Sequence, residues 1–316
     1  GYALLGNIIS RVSGITFQEY ITTNILHPLG MYATYWEFDD IPTDKLVDGY
    51  RWEDDTWKDE PMLHDGSYGS MGGLFTTIDD FSKYVNFHLS AWPARSGEDS
   101  GPLRRSSIRE MHYPTFPRLN AGSTDFNDED CPSVVGYGFG LRATKYCNGI
   151  WQVGHGGALP GFGSNYVFYP DYGLGIMAFG NLTYTGPYPL KKIEKVLFGE
   201  AEIEQRGLPL SDILAIRADQ VMDLITNWDP ELEQEILAEN FYMDKDRAHR
   251  KAAIEETFNK AGKLGTPEPF VNQNELRGYL DIPAENGIIW VYFTLTPEAD
   301  PKVQQLVVGL EEPGDD

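Results

Sequence analysis

The sequence predicts an α+β chain in two domains, residues 1–200 and 201–316. Three observations lead there. Helical spacing of apolar residues fills stretches near residues 3–12, 16–28 and 77–89, whereas residues 134–181 are patterned as strands joined by turns. Beyond about residue 200, after a polar stretch, a second series of helices is followed by strands. The strand pair Asn165–Tyr169 and Leu174–Gly180 is joined by Pro170-Asp171-Tyr172-Gly173, in which proline presets φ and glycine closes the turn, so the pair is antiparallel.

In the first domain Leu4, Leu5, Ile8, Ile9 and Val12 share one helical face, with Gly14 as the left-handed stop and Tyr2 placed as a buried helix residue. Thr16-x-x-Glu19 is a capping box for the next helix, which Pro28 ends. Residues 32–65 read as polar and aromatic loops. Their Tyr35, Trp36, Tyr50, Trp52 and Trp57 suit either a sugar or peptide groove or, more commonly, the pinning of loops.

Gly66–Thr77 is glycine-rich and runs into a helix capped by Thr77-x-x-Asp80, with Ile78, Phe81, Val85 and Leu89 as its buried stripe. It is either a flexible helix entry or a tight turn that sets Ser70, Met71, Gly72 and Gly73 against a ligand. Residues 93–133 read as surface excursion with one short helix near Ser106–His112. A strand is expected over Val134–Tyr146. Glycine at alternate positions leaves one of its faces bare, for a helix or second sheet layer to press on. Pro187 and Pro189 break the chain, a short helix spans Leu190–Phe198, and Gly199–Pro209 is polar enough for a linker.

The second domain places helices near Leu210–Asn227, Pro230–Asn240 and Asp244–Ala261. The last shows an exposed face through the spacing of Asp246 with Arg250 and Glu256 with Lys260. Strands follow at Glu275–Ile282, Ile288–Thr296 and Val303–Leu310. No cluster in this half suggests chemistry.

Composition narrows the partners. The 316 residues are 41% apolar and 13% aromatic, which supplies real cores, and the net charge of −23 opposes nucleic acid and anionic membrane surfaces. No apolar run reaches the roughly 20 residues of a membrane span, and GYALLGNIISRVSG lacks the basic region and cleavage site of a signal peptide. Beginning inside an apolar helical pattern without Met, the chain reads as a piece of a longer protein. Its six histidines and two cysteines are not spaced as metal ligands, so neither a metal nor a cofactor is expected. Cys131 and Cys147 flank a strand-like segment. A disulfide requires the intervening chain to fold back, and two free thiols are the alternative.

The chemistry points to His155-Gly156-Gly157, between the strand Trp151–Gly154 and the antiparallel pair. A ligand can lie directly on this backbone because glycine removes the Cβ that would hold it away. The alternative is a satisfied histidine in a glycine-rich turn.

Four blocks in order, GYALLGNIISRVSGITFQEYITTNILHPLGM, GSMGGLFTTIDDFSKYV, GYGFGLR and VGHGGALPGFGSNYVFYPDYGLGIMAFGN, resemble the serine β-lactamase and penicillin-binding-protein superfamily. The similarity is to the branch of class C β-lactamases, D-aminopeptidases, D-Ala-D-Ala carboxypeptidases and esterases, over residues 1 to about 200. It implies a β-lactamase-like antiparallel sheet flanked by helices, with an accessory α+β domain beyond. It also implies acyl-enzyme hydrolysis of a small-molecule or peptide substrate by a periplasmic or secreted protein.

Such chemistry uses a Ser-x-x-Lys, a Tyr-x-Asn and a Lys-Thr-Gly or His-x-Gly on an edge strand. His155-Gly156-Gly157 matches the third, which makes His155 the implied catalytic residue. Imidazole in place of a fixed cation suits peptidase or esterase work more than antibiotic resistance. Neither of the other two motifs is expected in this chain: no Ser-x-x-Lys occurs, and the family's Tyr-x-Asn falls just before a segment like Gly1–Gly6. The resemblance therefore implies the C-terminal portion of a serine hydrolase, inactive alone, whose missing N-terminal segment would cover an exposed sheet edge and apolar face. The rival is a binding or scaffold protein that keeps the fold without catalysis.

Overall fold

Helix α1 (Tyr2–Ser13) ends at Gly14, whose φ of 79° is the left-handed stop. Helix α2 (Phe17–Ile21) starts where Thr16 Oγ1 accepts from the Glu19 N–H at 3.1 Å, and a π-type turn extends it to Leu26. The computed structural model describes residues 1–95, 97–186, 189–201 and 203–313; the break expected at Pro187 lies outside them. Two compact units emerge, Gly1–Arg206 and Gly207–Asp316.

The loops expected over residues 32–65 contain a hairpin, β1 (Gly49–Glu53) and β2 (Thr56–Glu60). Asp54 and Asp55 turn it with φ of 54° and 57°, the paired left-handed geometry that matches strand twist. One turn of helix, α3 (Gly69–Gly72), precedes α4 (Ile78–Leu89), which Thr77 Oγ1 caps through the Asp80 N–H. Helix α5 (Arg105–Met111) then leads to a six-stranded antiparallel sheet. In order it contains β3 (Arg118–Asn120), β4 (Ser133–Gly138), β5 (Leu141–Tyr146), β6 (Trp151–Leu159), β7 (Phe162–Tyr169) and β8 (Leu174–Gly180).

The strand expected over Val134–Tyr146 is thus a hairpin. Phe139 and Gly140 take φ of 52° and 78°, fold β5 back on β4, and pair Ser133 with Tyr146. That return brings the Cα atoms of Cys131 and Cys147 to 5.3 Å, and the two form a disulfide. The bare face at Gly136 meets the ring of Pro114, so a loop presses there in place of the expected helix or sheet layer.

Side-chain alternation gives the sheet two buried faces. Trp151, Val153 and Phe168 pack on Val85 and Leu89 of α4, while Ile150, Tyr169 and Ile176 pack on Leu190 of α6 (Pro189–Glu194). Each face also holds one buried polar cluster. On the α6 side Glu194 accepts from the hydroxyl of Tyr169 and from Gln152 Nε2, and burial raises its carboxyl above the ordinary range. Beside α4, Trp92 Nε1–H donates to His112 Nδ1 at 2.9 Å, leaving His112 Nε2–H to donate to His88 Nδ1 at 2.9 Å. Part of the expected linker is anchored, since Arg206 donates to the Pro170 carbonyl at 2.7 Å.

Unit 2 carries α7 (Asp212–Asn227), α8 (Pro230–Ile236) and α9 (Arg247–Ala261) beside a sheet in the order β12-β11-β10-β9. Its strands are β9 (Val271–Asn274), not expected from the sequence, β10 (Arg277–Ala284), β11 (Gly287–Leu295) and β12 (Val303–Glu311). Glu256 pairs with Lys260 at 2.8 Å as spaced, but Asp246 caps α9 and Arg250 turns to Asp244. Among the described residues no helix is long and apolar enough to cross a membrane.

One face remains uncovered. On α1 Leu4 is 67% exposed, Ile8 54% and Val12 82%, and Tyr2, expected to be buried, is 40% exposed. A full apolar stripe open to water is unusual for a stable surface and marks contact with another segment or molecule.

The histidine pair sets an acid limit. Burial depresses His88 to about 4, and burial followed by repulsion from His88 depresses His112 to about 3. Unfolded histidine protonates below about 6.5, whereas the folded pair resists, so the contribution is complete above that pH and lost as pH falls toward the folded values. Urea unfolding between pH 7 and 5 is expected to show stability falling by about 1 kcal/mol per pH unit for each histidine, shallow near pH 7 and steeper below pH 6. His112→Asn should flatten that slope; an unchanged slope refutes the assignment.

Candidate active site

Strand β5 pairs with β6 only from Lys145↔Trp151 to Arg142↔Gly154. Past that point β6 continues on β7 alone, from His155↔Tyr166 to Leu159↔Phe162. His155-Gly156-Gly157 therefore lies inside a strand, not at the end of one or in a turn, because the chain reverses only at Pro160-Gly161. Residues 155–159 are all exposed and no strand pairs with them opposite β7; the Leu159 carbonyl accepts from the Tyr184 N–H at 3.2 Å and the Gly156 carbonyl lies against the His155 ring, and the remaining outward groups are open to an extended ligand.

The glycines along it differ. A Cβ on Gly154 would sit 2.2 Å from the Tyr166 carbonyl oxygen and 2.8 Å from Val167 Cα, so packing against β7 dictates glycine there. A Cβ on Gly156 would be 3.4 Å from the nearest atom, and one on Gly157 would meet only the Ser164 side chain. Backbone packing does not demand glycine at those two positions.

His155 heads the edge. Its Nδ1 lies 2.5 Å from the Gly156 carbonyl oxygen and its Nε2 lies 3.2 Å from Tyr137 Oη, with the two rings edge-to-face at 5.6 Å. Tyr137 in turn lies 3.4 Å from Tyr2 Oη. Sequence patterning does not single out Tyr137 and assigns Tyr2 to the interior. The available signal is a tyrosine between glycines, Gly136-Tyr137-Gly138, on the strand two places from β6.

The turn at Ser70–Gly73 reaches the same neighbourhood through α1. Ser70 Oγ–H donates to the Tyr2 carbonyl at 3.0 Å and its side chain fills the space left by Gly6. Asp65, held by Gln18 Nε2–H at 2.7 Å, fills the spaces at Gly69 and Gly73. Ser70 and Gly73 thus serve packing, while Met71 and Gly72 face solvent. Contrary to the expected absence of Tyr-x-Asn, the chain has two such triplets. Tyr84-Val85-Asn86 lies on α4 with the Tyr84 phenol pushed up to about 12 by burial, and Tyr146-Cys147-Asn148 lies beside the disulfide; neither tyrosine bonds His155. Among the described residues no group of His, Cys, Asp and Glu is placed to hold a metal ion.

The Beta-lactamase family model matches residues 1–199. The chain belongs to the beta-lactamase family. Beta-lactamase-like protein 2 of Dictyostelium discoideum is 26% identical over 188 residues, 59% of this chain and 31% of that protein. Unguisins hydrolase ungD of Aspergillus violaceofuscus is 22% identical over 200 residues, 59% of this chain and 34% of that protein. The octameric penicillin-binding protein homologue from Pyrococcus abyssi superposes on 97% of this chain and 58% of its own, at TM-score 0.52 and 20% identity. The chain spans about a third of the length of the curated relatives it matches. The beta-lactamase fold thus accounts for the sheet that carries His155 and for the helices against it.

Unequal roles for the glycines of this beta-lactamase-family strand have a measurable consequence. Gly154→Ala is expected to lower stability in urea by about 1–3 kcal/mol through overpacking, and Gly156→Ala to stay within about 0.5 kcal/mol. Equal losses at both positions contradict the division.

Proposed function

We propose that residues 1–206 form the C-terminal portion of the catalytic domain of a serine hydrolase that cleaves a peptide, amide or ester, with peptidase or esterase work favoured over antibiotic resistance. The observation that carries it is the β6 edge from His155 to Ala158, unpaired with any strand opposite β7, beginning at an imidazole and bare at Gly156 and Gly157. An extended substrate pairs with that edge and brings its scissile carbonyl near His155. A serine hydroxyl attacks the carbonyl, its proton passes to a neighbouring base, and the protonated leaving group departs. Water then hydrolyses the acyl-serine ester. An N–H of the edge helps hold the oxyanion.

The serine and its base belong to a segment preceding Gly1 in this proposal, since no Ser-x-x-Lys occurs in the 316 residues. The exposed stripe of Leu4, Ile8 and Val12 supports such a segment as the partner of α1. The disulfide fits an oxidising compartment, in keeping with secretion. Engagement of the Ser70 hydroxyl with α1 favours the second reading, a binding protein of the same fold, for residues 1–316 by themselves.

A fluorophosphonate probe separates the two. It is expected to label a longer form carrying Ser-x-x-Lys, to leave residues 1–316 unlabelled, and to react about a hundredfold more slowly with the His155→Ala longer form. Labelling of residues 1–316 overturns the assignment of the nucleophile, and no labelling of either form decides for the binding protein.

A further inference from the structure

The two ring nitrogens of His155 have different partners, and these partners determine where its proton sits. Gly156 offers a carbonyl oxygen, which only accepts, so Nδ1 carries the hydrogen and donates at 2.5 Å. In the neutral ring Nε2 is then a lone pair, and Tyr137 O–H donates to it at 3.2 Å. The oxygen of Tyr137 is left to accept from Tyr2 O–H at 3.4 Å. Groups from α1, β4 and β6 thereby form one directed chain, Tyr2 to Tyr137 to His155. Burial, then the hydrogen bond to Tyr2, pushes the Tyr137 phenol up to about 12, which keeps it a donor at neutral pH.

We infer that Tyr137 is a positioning residue for His155: it holds the imidazole in the Nδ1–H form and passes the proton that Nε2 takes up. The inference rests on the hydrolase reading for its catalytic consequence, and on geometry alone for the orientation. When Nε2 is protonated, the proton comes from Tyr137 O–H. Tyr137 is refilled from Tyr2 O–H, and Tyr2 from the reacting group or water. One proton enters, the ring becomes imidazolium, and both tyrosines end neutral. Hydroxyls that touch each other and the ring, on side chains that are themselves partly exposed, are suited to this traffic more than to holding the fold.

The test has two arms. Nitrogen-15 spectra of histidine-labelled residues 1–316 are expected to show Nδ1 protonated and Nε2 as a hydrogen-bonded acceptor. In Tyr137→Phe the Nε2 resonance should move while Nδ1 and the circular dichroism stay, and Tyr2→Phe should give a smaller displacement. A wild-type ring protonated at Nε2, or spectra indifferent to Tyr137→Phe, overturns the inference. In a longer form bearing the nucleophile, Tyr137→Phe should lower kcat about ten- to a hundredfold at constant KM. In a His155→Ala background it should cost nothing further. Additive losses overturn the inference as well. If the longer form is inactive while the spectra are as expected, the hydrolase reading fails and the orienting role stands.

Discussion

The unequal lengths of β5 and β6 govern the first unit. Because Phe139 and Gly140 turn the chain, β5 begins only at Leu141, and its last partner on β6 is Gly154. The β6–β7 ladder runs on for the pairs from His155↔Tyr166 to Leu159↔Phe162, so the strand stays paired on one side while no strand pairs with its other side. An edge held by a continuous ladder differs from a flexible loop. It keeps its outward groups at fixed spacing, which a binding or reacting edge requires.

The same sheet is fastened from both faces, and the fastenings are mixed in character. Apolar packing on α4 and α6 supplies most of the burial, and each face adds a polar cluster whose members satisfy one another: Trp92–His112–His88 on one, Gln152–Tyr169–Glu194 on the other. Buried polar groups are costly when unpaired and specific when paired. The Glu194 cluster ties α6 to β6 and β7, and the histidine cluster ties α4 to the chain after α5, so both brace the sheet whose strand β6 carries His155.

At the site, packing and openness divide the labour. Ser70 fills the space that Gly6 leaves and Asp65, held by Gln18, fills those at Gly69 and Gly73, which locks α3 to α1, whose Tyr2 lies beside Tyr137. The β6 edge and the apolar stripe of α1 are left uncovered.

Local chemistry was enough to read the helix caps at Thr16 and Thr77, the left-handed stop at Gly14, the turn at Pro170–Gly173 and the family itself, because each depends on neighbouring residues or a contiguous block. The same holds for the prominence of His155 among bare residues. Only the tertiary structure decided what depends on distant partners. It folded Val134–Tyr146 into a hairpin and so joined Cys131 to Cys147, it continued β6 through the glycines, and it assigned the Ser70 hydroxyl to packing. It also brought Tyr137 and Tyr2 to His155, since contacts between residues 18 and 135 positions apart arise from strand register and helix seating, which no local pattern encodes.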